Sequence, residues 1–475
     1  MEKNKKDSLA KNTILLSIGT ITTKGLSFVM VPFFSRWLTT ENYGTFDLFC
    51  TYVTLLIPLI GLASNEACFR FSMDAKSKEE KITYISNSFA IYAINSLILF
   101  SALVACRIVL GWSLALCFFA LAFGEIFNMY FRGYLRAIKH LDVYSFVSAI
   151  TTVFTAISVT LLVRIFDLGL QGMILGYAIG YLLGDIVIVF VTKYWNYFDI
   201  EKISFAGMKE LVEYSYALIP NSVAWWFINV SDRTIIKVFL GAASNGIYAI
   251  AYKIPNILSS VFGVFSVSWQ QSATESVNDA DREQYFNAVY NKMIVTLLSL
   301  CCGILSLNSW LFGYIFDNKY YTGHLYSPIL IGATVFATIA QFYGSIQISL
   351  KQPKENGITT MIGAAFNIII HLSLVKFVGL YAAALSTILS EIIVCVLRHI
   401  RLKKSVVLAL NAKTKALFIV YIIYTGLAYY ITNLVINVMA TVVAAIVVLI
   451  ANKSFIYKIK QKFLKKGAAV PAREK

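Results

Sequence analysis

Residues 231–253, SDRTIIKVFLGAASNGIYAIAYK, read as the end of one apolar helix, a short turn and the start of another. Four charges sit inside this stretch, Asp232, Arg233, Lys237 and Lys253, although each costs free energy in hydrocarbon. Its second half has a counterpart near the N-terminus. WLTTENYGTFDLF (37–49) aligns without a gap on FLGAASNGIYAIA (239–251), setting Leu38 on Leu240 and Gly44 on Gly246. A second pair follows in the same order: LRAIKHLDVYSFVSAITTVFTAISVTLLVR (135–164) parallels QISLKQPKENGITTMIGAAFNIIIHLSLVK (347–376), with Gly169-Leu170 and Gly379-Leu380 opening the next helices. Matching order at similar offsets is the signature of an internal repeat.

The repeat lies in a chain built for a membrane. Of 475 residues 58% are apolar and only 14% charged, and the mean hydropathy is +0.70. A bilayer-spanning helix needs about 20 mostly apolar residues. Apolar runs predict six spans near 12–38, 43–70, 82–106, 110–134, 142–166 and 168–193, and six more near 208–240, 244–274, 284–312, 325–350, 357–377 and 379–402. Two extra spans follow near 414–432 and 434–452, about 14 in all. The basic start runs into span 1 without a small-residue cleavage site, so it reads as an uncleaved first span. The expected fold is an all-α polytopic membrane protein: two six-helix lobes, 1–200 and 201–405, then 406–475 with two helices and a basic tail. Six spans, an even number, separate the repeat-related positions, so the lobes run parallel about an axis along the membrane normal, with a cleft between them.

Excess Lys and Arg mark cytoplasmic loops. With both termini inside, the outer loops hold four basic residues, Arg107, Arg164, Lys319 and Lys376. Five more, Lys24, Arg36, Arg233, Lys237 and Lys253, fall within spans, and the rest of the 41 lie on the inner side. The net charge of +16 therefore points to anionic lipid rather than nucleic acid. The seven cysteines lie scattered in apolar segments, with no Cys/His cluster at metal-ligand spacing, and no GxxxxGK[ST] loop occurs. No metal or cofactor is expected, and no loop is long enough for a catalytic domain.

The buried charges suggest the function. Lys24, Arg36, Asp47, Asp232, Arg233, Lys237 and Lys253 fall in spans 1, 2, 7 and 8 and carry more positive than negative charge. Basic side chains clamp phosphate, so these residues are expected to line a cavity for an anion. Asn221 and Asn229 add hydrogen bonding, and Trp225, Trp226 and Trp269 add flat surfaces for sugars. Glu66, Arg70, Glu125, Asp185 and Glu391 form a second set, suited to ion coupling or an inner gate. Pro32, Pro58, Pro220 and Pro255 fall in spans 1, 2, 7 and 8, where proline kinks a helix. In span 6, Gly172, Gly176, Gly180 and Gly184 recur every fourth residue, making a groove for close helix packing.

Span 1 (KGLSFVMVPFFSRWLTTENYGTFDLF), the GLASNEACFRF ending span 2 and SDRTIIKVFLGAASNGIYAIAYKIPNIL together resemble the Wzx-type lipid-linked oligosaccharide flippases. These belong to the multidrug/oligosaccharidyl-lipid/polysaccharide (MOP, MATE-like) exporter superfamily. The resemblance covers nearly the whole chain. It implies a monomeric transporter, not an enzyme, in the bacterial cytoplasmic membrane. Its substrate would be a polyprenyl-diphosphate-linked oligosaccharide flipped from the inner to the outer leaflet for surface polysaccharide such as O-antigen or capsule. Membrane lipids, a polysaccharide polymerase and chain-length proteins are the partners implied. Three alternatives share parts of this pattern: a multidrug cation exporter, a peptidoglycan-precursor flippase, and a membrane-embedded polymerase or glycosyltransferase.

Overall fold

The computed structural model describes residues 23–216, 218–430 and, beyond them, 435, 436, 438, 439, 442, 443 and 446. The start of span 1, most of span 14 and the basic tail lie outside the described residues. Among those described, regular structure is helical throughout. α1 (residues 23–37) is followed by α2 (Thr40–Ile60), α3 (Ser64–Asp74), α4 (Lys78–Leu110), α5 (Ala115–Ala137), α6 (Leu141–Val159) and α7 (Gly169–Thr192). Then come α8 (Phe205–Ser215), α9 (Leu218–Leu240), α10 (Ala242–Ala251), α11 (Lys253–Glu275) and α12 (Arg282–Trp310). α13 (Gly323–Ser349), α14 (Pro353–Val378), α15 (Tyr381–Leu402) and α16 (Ala412–Tyr430) complete the series. Nine described helices are long and apolar enough to cross a membrane, or ten if α10 and α11 count as one bent span. α4 leaves Ile94, Leu97, Ile98, Ile108 and Val109 exposed, a face that suits hydrocarbon and not water.

The prolines do not all act as expected. Pro32 lies inside α1 and Pro58 inside α2. Pro220 and Pro255 instead occupy the first turns of α9 and α11, where no intrahelical partner for the missing N–H exists. Expected spans 2, 7 and 8 are broken, between Ile60 and Ser64, between Ser215 and Leu218, and at Tyr252. At the first break Leu62 and Ala63 take φ of 47° and 52°, a left-handed conformation that costs an L-residue about 1–2 kcal/mol. Side chains repay part of this by satisfying the freed carbonyls, as a membrane interior requires. Asn95 Nδ2 donates to Ile60 O at 2.7 Å and Ser215 Oγ to Leu62 O at 2.7 Å.

The chain packs as two compact units, Met1–Lys253 with Ile368–Ala383, and Ile254–Asn367 with Ala384–Lys475. These units differ from the lobes expected at 1–200 and 201–405: the first also takes in α8 to α10 and residues 368–383. Within it the glycine groove of α7 receives α6. A Cβ on Gly176 would stand 2.7 Å from Val159 Cα, one on Gly180 2.5 Å from Thr155 Cα, and one on Gly184 2.0 Å from Thr151 Oγ1. Residues 151, 155 and 159 are the i, i+4, i+8 ridge of α6, seated in the matching row of α7.

The aligned segments also meet within this unit. A Cβ on Gly44 would lie 1.9 Å from Ala242 O, and one on Gly246 2.1 Å from Thr40 O. Position 242 is the sequence counterpart of 40, so the contact is reciprocal, the relation a two-fold axis produces between equivalent surfaces. Asn245 Nδ2 donates to Gly44 O at 2.8 Å and fastens α10 to α2.

A second correspondence lies in the connecting segments. In the first unit Asn87 Nδ2 donates to Lys202 O and its Oδ1 accepts from Ser204 N–H, at 3.0 and 2.9 Å. In the second unit Asn291 does the same for Ala409 O and Asn411 N–H, both at 2.9 Å. Ser204 then caps α8 through Gly207 N–H, and Asn411 caps α16 through Thr414 N–H. Each asparagine thus fixes where the next helix starts. The second unit is also held by Arg398 of α15, whose guanidinium donates to Ala340 O, Asn356 O, Thr359 Oγ1 and Thr360 Oγ1.

Candidate functional site

The charges of the opening stretch fall into two groups, both in the first unit. The first lies where α2, α9 and α10 meet. Arg233 Nε donates to Asp47 Oδ2 at 2.8 Å, with only 12% and 13% of the side chains exposed. The guanidinium also lies over the Tyr252 ring, 5.3 Å from its centroid. Arg233 is therefore not the free cation expected: the low dielectric around it favours the nearest carboxylate. Asp232, next in the chain, faces His371 of α14, with Oδ1 2.9 Å from Nδ1, and its Oδ2 lies 3.5 Å from the Tyr248 hydroxyl. Neighbouring residues on one helix turn point about 100° apart, which lets Asp232 and Arg233 serve different partners.

The second group is Lys24 of α1 and Lys253 at the first position of α11. The two ammoniums are close enough to repel each other. Among the described residues neither has an ion-pair partner. Lys253 also lies within electrostatic range of Cys50 and Tyr177. As the residue that opens α11, it adds to the positive end of a helix dipole. On the adjoining stripe of α1, Thr23, Ser27, Met30 and Phe34 border a small cavity of about 120 Å³, closed by Arg132 of α5, Thr151 and Thr155 of α6, and Tyr177 and Tyr181 of α7. Beside it is a buried relay in which Arg132 Nε donates to Asn128 Oδ1 and Asn128 Nδ2 donates to Asp185 Oδ1, each at 2.8 Å. Glu125 lies near Arg132.

A larger cavity of about 510 Å³ opens at the break between α2 and α3. Thr54, Pro58, Asn65, Glu66, Ser222 and Trp226 line it. Its volume is within the usual range for small-molecule sites. Glu66 is held by Arg136, Nη1 to Oε1 2.8 Å, a partner the sequence reading had assigned to a loop. Trp226 is anchored by Nε1 donating to Thr51 O at 2.8 Å.

The remaining expected residues are dispersed. Arg36 and Lys237 are exposed, Arg70 pairs with Asp74 one turn on, and Glu391 lies near Arg398 in the second unit. The side chains of Asn221, Asn229, Pro220 and Trp225 are outside those described. Trp269 is no open sugar platform: its ring stacks on Phe342 at 4.4 Å and 6°. Three residues the sequence reading passed over prove central. Asn128 and Tyr248 gave no signal, since both are ordinary in a helix. His371 did, as an ionisable residue inside a span.

A family profile described as "Polysaccharide biosynthesis protein" matches residues 9–269, which include both cavities and, His371 apart, both charge groups. The chain belongs to the polysaccharide biosynthesis protein family. One relative is the probable low-salt glycan biosynthesis flippase Agl15 of Haloferax volcanii, 26% identical over 406 residues, or 80% of this chain and 81% of that one. Among solved structures, the lipid II flippase MurJ in an inward closed conformation aligns over 94% of this chain and 99% of its own with a TM-score of 0.71 at 16% identity. A multidrug resistance MATE transporter of the MOP superfamily, inward-facing, covers 86% of this chain and 95% of its own at a TM-score of 0.62 and 12% identity. At such identities the structural likeness concerns the fold, which is that of the MOP transporters. Membership of the polysaccharide biosynthesis protein family thus goes together with a fold shared with these membrane transporters.

Proposed function

We propose that this polysaccharide biosynthesis protein flips an oligosaccharide carried on polyprenyl diphosphate from the inner to the outer leaflet of a bacterial cytoplasmic membrane, both termini being cytoplasmic. The observation that carries the reading is the pair Lys24 and Lys253: two ammoniums within apolar segments and within electrostatic range of each other, neither with a carboxylate partner among the described residues. Holding like charges together costs free energy unless an anion joins them, and a diphosphate supplies two negative charges. The cavity beside Thr54, Asn65, Glu66 and Ser222 offers donors and acceptors for sugar hydroxyls, while the isoprenoid tail stays among lipid.

An interior-negative potential favours an anion leaving, by about 2.3 kcal/mol per charge per 100 mV, so a dianion crossing the full field gains about 4–5 kcal/mol. The protein acts as a monomer. Its product is taken up by a polysaccharide polymerase and chain-length proteins to build surface polysaccharide such as O-antigen or capsule.

The test is the double variant Lys24→Gln/Lys253→Gln. It is expected to insert normally yet abolish flipping, so that the lipid-linked glycan accumulates on the cytoplasmic leaflet. Undiminished export by an inserted double variant refutes the clamp. Identifying the glycan that accumulates on deletion separates this function from peptidoglycan-precursor flipping and from drug export.

A further inference from the structure

Glu125, Asn128 and Arg132 share one face of α5, and Tyr177, Tyr181 and Asp185 share one face of α7, by the three- and four-residue spacing that stacks side chains along a helix. Asp185 is buried, and only one of its oxygens is used. Oδ1 accepts from Asn128 Nδ2, whereas Oδ2 is buried with no hydrogen-bond partner among the described residues. Glu125 makes no hydrogen bond or ion pair among the described residues, although it lies near Arg132. Arg132 lies near Asp185 as well, so two carboxylates share one guanidinium. By contrast, Asp47 has Arg233 and Glu66 has Arg136, one guanidinium to each carboxylate.

An excess negative charge inside an apolar unit must be neutralised, and a carboxylate does this by binding a proton. An independent observation points the same way. Thr151 Oγ1 is buried, borders the cavity beside α1 and has no hydrogen-bond partner among the described residues. It faces the turn that carries Asp185, since a Cβ on Gly184 would stand 2.0 Å from it. An ionised carboxylate only accepts hydrogen bonds; a protonated one adds an O–H donor, which an unmatched hydroxyl oxygen can accept. A purely structural partner for Asn128 needs one acceptor, and a Ser or Thr hydroxyl would supply it without leaving a buried carboxylate oxygen over. We propose that Glu125 and Asp185 share a single proton beside Arg132, taken up through this cavity, and that its presence strengthens the hold of the Lys24 and Lys253 pair on an anion.

The step is one protonation. A proton passes from water in the cavity to a carboxylate oxygen and back, and no other bond changes. Loaded, the two carboxylates and Arg132 sum to zero; unloaded, they sum to one negative charge. The hydroxyls of Ser27, Thr152, Thr155, Tyr177 and Tyr181 on the cavity wall both donate and accept. The volume of about 120 Å³ has room for several waters at about 10–15 Å³ each.

The other titratable groups packed around the site are accounted for. α2 brings Cys50, Tyr43 and Asp47, the last taken by Arg233. α6 brings Tyr144, whose ring lies under the Arg132 guanidinium. α3 brings Glu66, held by Arg136, and α4 brings Tyr92, set against Phe127 of α5. Lys253 lies within electrostatic range of Cys50 and Tyr177, the same two groups that Glu125 reaches. Loss of the proton therefore puts a negative charge near the ammonium pair and weakens its pull on an anion. This coupling rests on the anion clamp of the proposed function; the proton site itself does not.

The experiment is infrared difference spectroscopy on full-length protein in lipid nanodiscs, reading the C=O stretch of protonated carboxyl groups, which moves on exchange into heavy water. The parent is expected to show this band at neutral pH and to lose amplitude as pH is raised. Asp185→Asn and Glu125→Gln are each expected to lose one carboxyl's worth of amplitude at neutral pH, because the carboxylate that remains is balanced by Arg132. Arg132→Gln is expected to gain one, because both carboxylates then need a proton; loss of structure would not produce that rise. An amplitude equal to the parent's in any of the three variants overturns the proton site.

Inorganic pyrophosphate is the probe for the coupling. Its affinity is expected to fall with rising pH more steeply in the parent than in Asp185→Asn, the probe's own ionisation being common to both. Equal slopes overturn the coupling. A parent that binds no pyrophosphate at any pH refutes the clamp and the coupling with it, while the infrared amplitudes still decide the proton site.

Discussion

Gly246→Ala tests the contact on which the helix arrangement turns. The added Cβ would stand 2.1 Å from Thr40 O, about 1.3 Å short of the 3.4 Å at which ordinary contact begins, and 3.1 Å from Gly44 N. All these neighbours are backbone atoms, so no side chain can rotate away and α2 must separate from α10. Overpacking of this kind costs about 1–3 kcal/mol. Separation also breaks the 2.8 Å bond from Asn245 Nδ2 to Gly44 O, a further loss of about 0.5–1.5 kcal/mol. Alanine returns up to about 1 kcal/mol through helix propensity. The net penalty is about 0.5–3.5 kcal/mol against the packed state, a shift of roughly 2- to 400-fold in its population.

Ala242 reports on this directly, because it is only 9% exposed and forms the other side of the contact. With the seven native cysteines replaced and Ala242→Cys introduced, Gly44→Ala and Gly246→Ala are each expected to raise the rate of thiol modification by about twofold or more. Gly303→Ala is the control, since a Cβ there meets nothing within 4 Å. Equal protection of the thiol in all three backgrounds refutes the close approach of α2 and α10.

Three further outcomes follow from the same reasoning. Arg233→Gln strands the Asp47 carboxylate in a nearly dry site and is expected to cost about 3–5 kcal/mol; denaturant unfolding of the double-mutant cycle with Asp47→Asn should recover much of it, and strict additivity refutes the pair. Asn87→Ala is expected to quicken amide exchange over residues 199–207 while leaving 405–414 unchanged, and Asn291→Ala the reverse, each through about 1–3 kcal/mol of unmatched backbone groups; exchange that rises in neither segment refutes the anchors. Gly180→Ala should lower thermal stability more than Gly184→Ala, because the first Cβ meets Thr155 backbone at 2.5 Å and the second meets first the Thr151 hydroxyl, which can rotate. Equal melting shifts count against the packing of α6 on α7.

Sequence by itself determined what depends on pattern along the chain. Length and apolar runs determined a polytopic helical protein, because hydrocarbon tolerates a backbone only when its hydrogen bonds are made within the segment. Glycine spacing marked the face of α7 on which α6 packs, since a four-residue period puts every small residue on one side of a helix. The alignment of Gly44 with Gly246 was visible as a repeat, although that the two touch reciprocally was not. Tertiary structure alone decided everything that depends on distance across the fold. Composition counts Arg233 and Asp47 as separate charges, and only packing makes them one neutral pair. Asp232 and His371 are separated by 139 positions and carry no mutual signal in one sequence. The breaks after Ile60, after Ser215 and at Tyr252 were likewise hidden, because a carbonyl released from a helix must find its donor elsewhere, and Asn95 and Ser215 become that donor at the first break only once the helices are assembled. Charge and periodicity are properties of neighbours in the chain, whereas the state of a buried charge is set by whichever group the fold brings within hydrogen-bond reach.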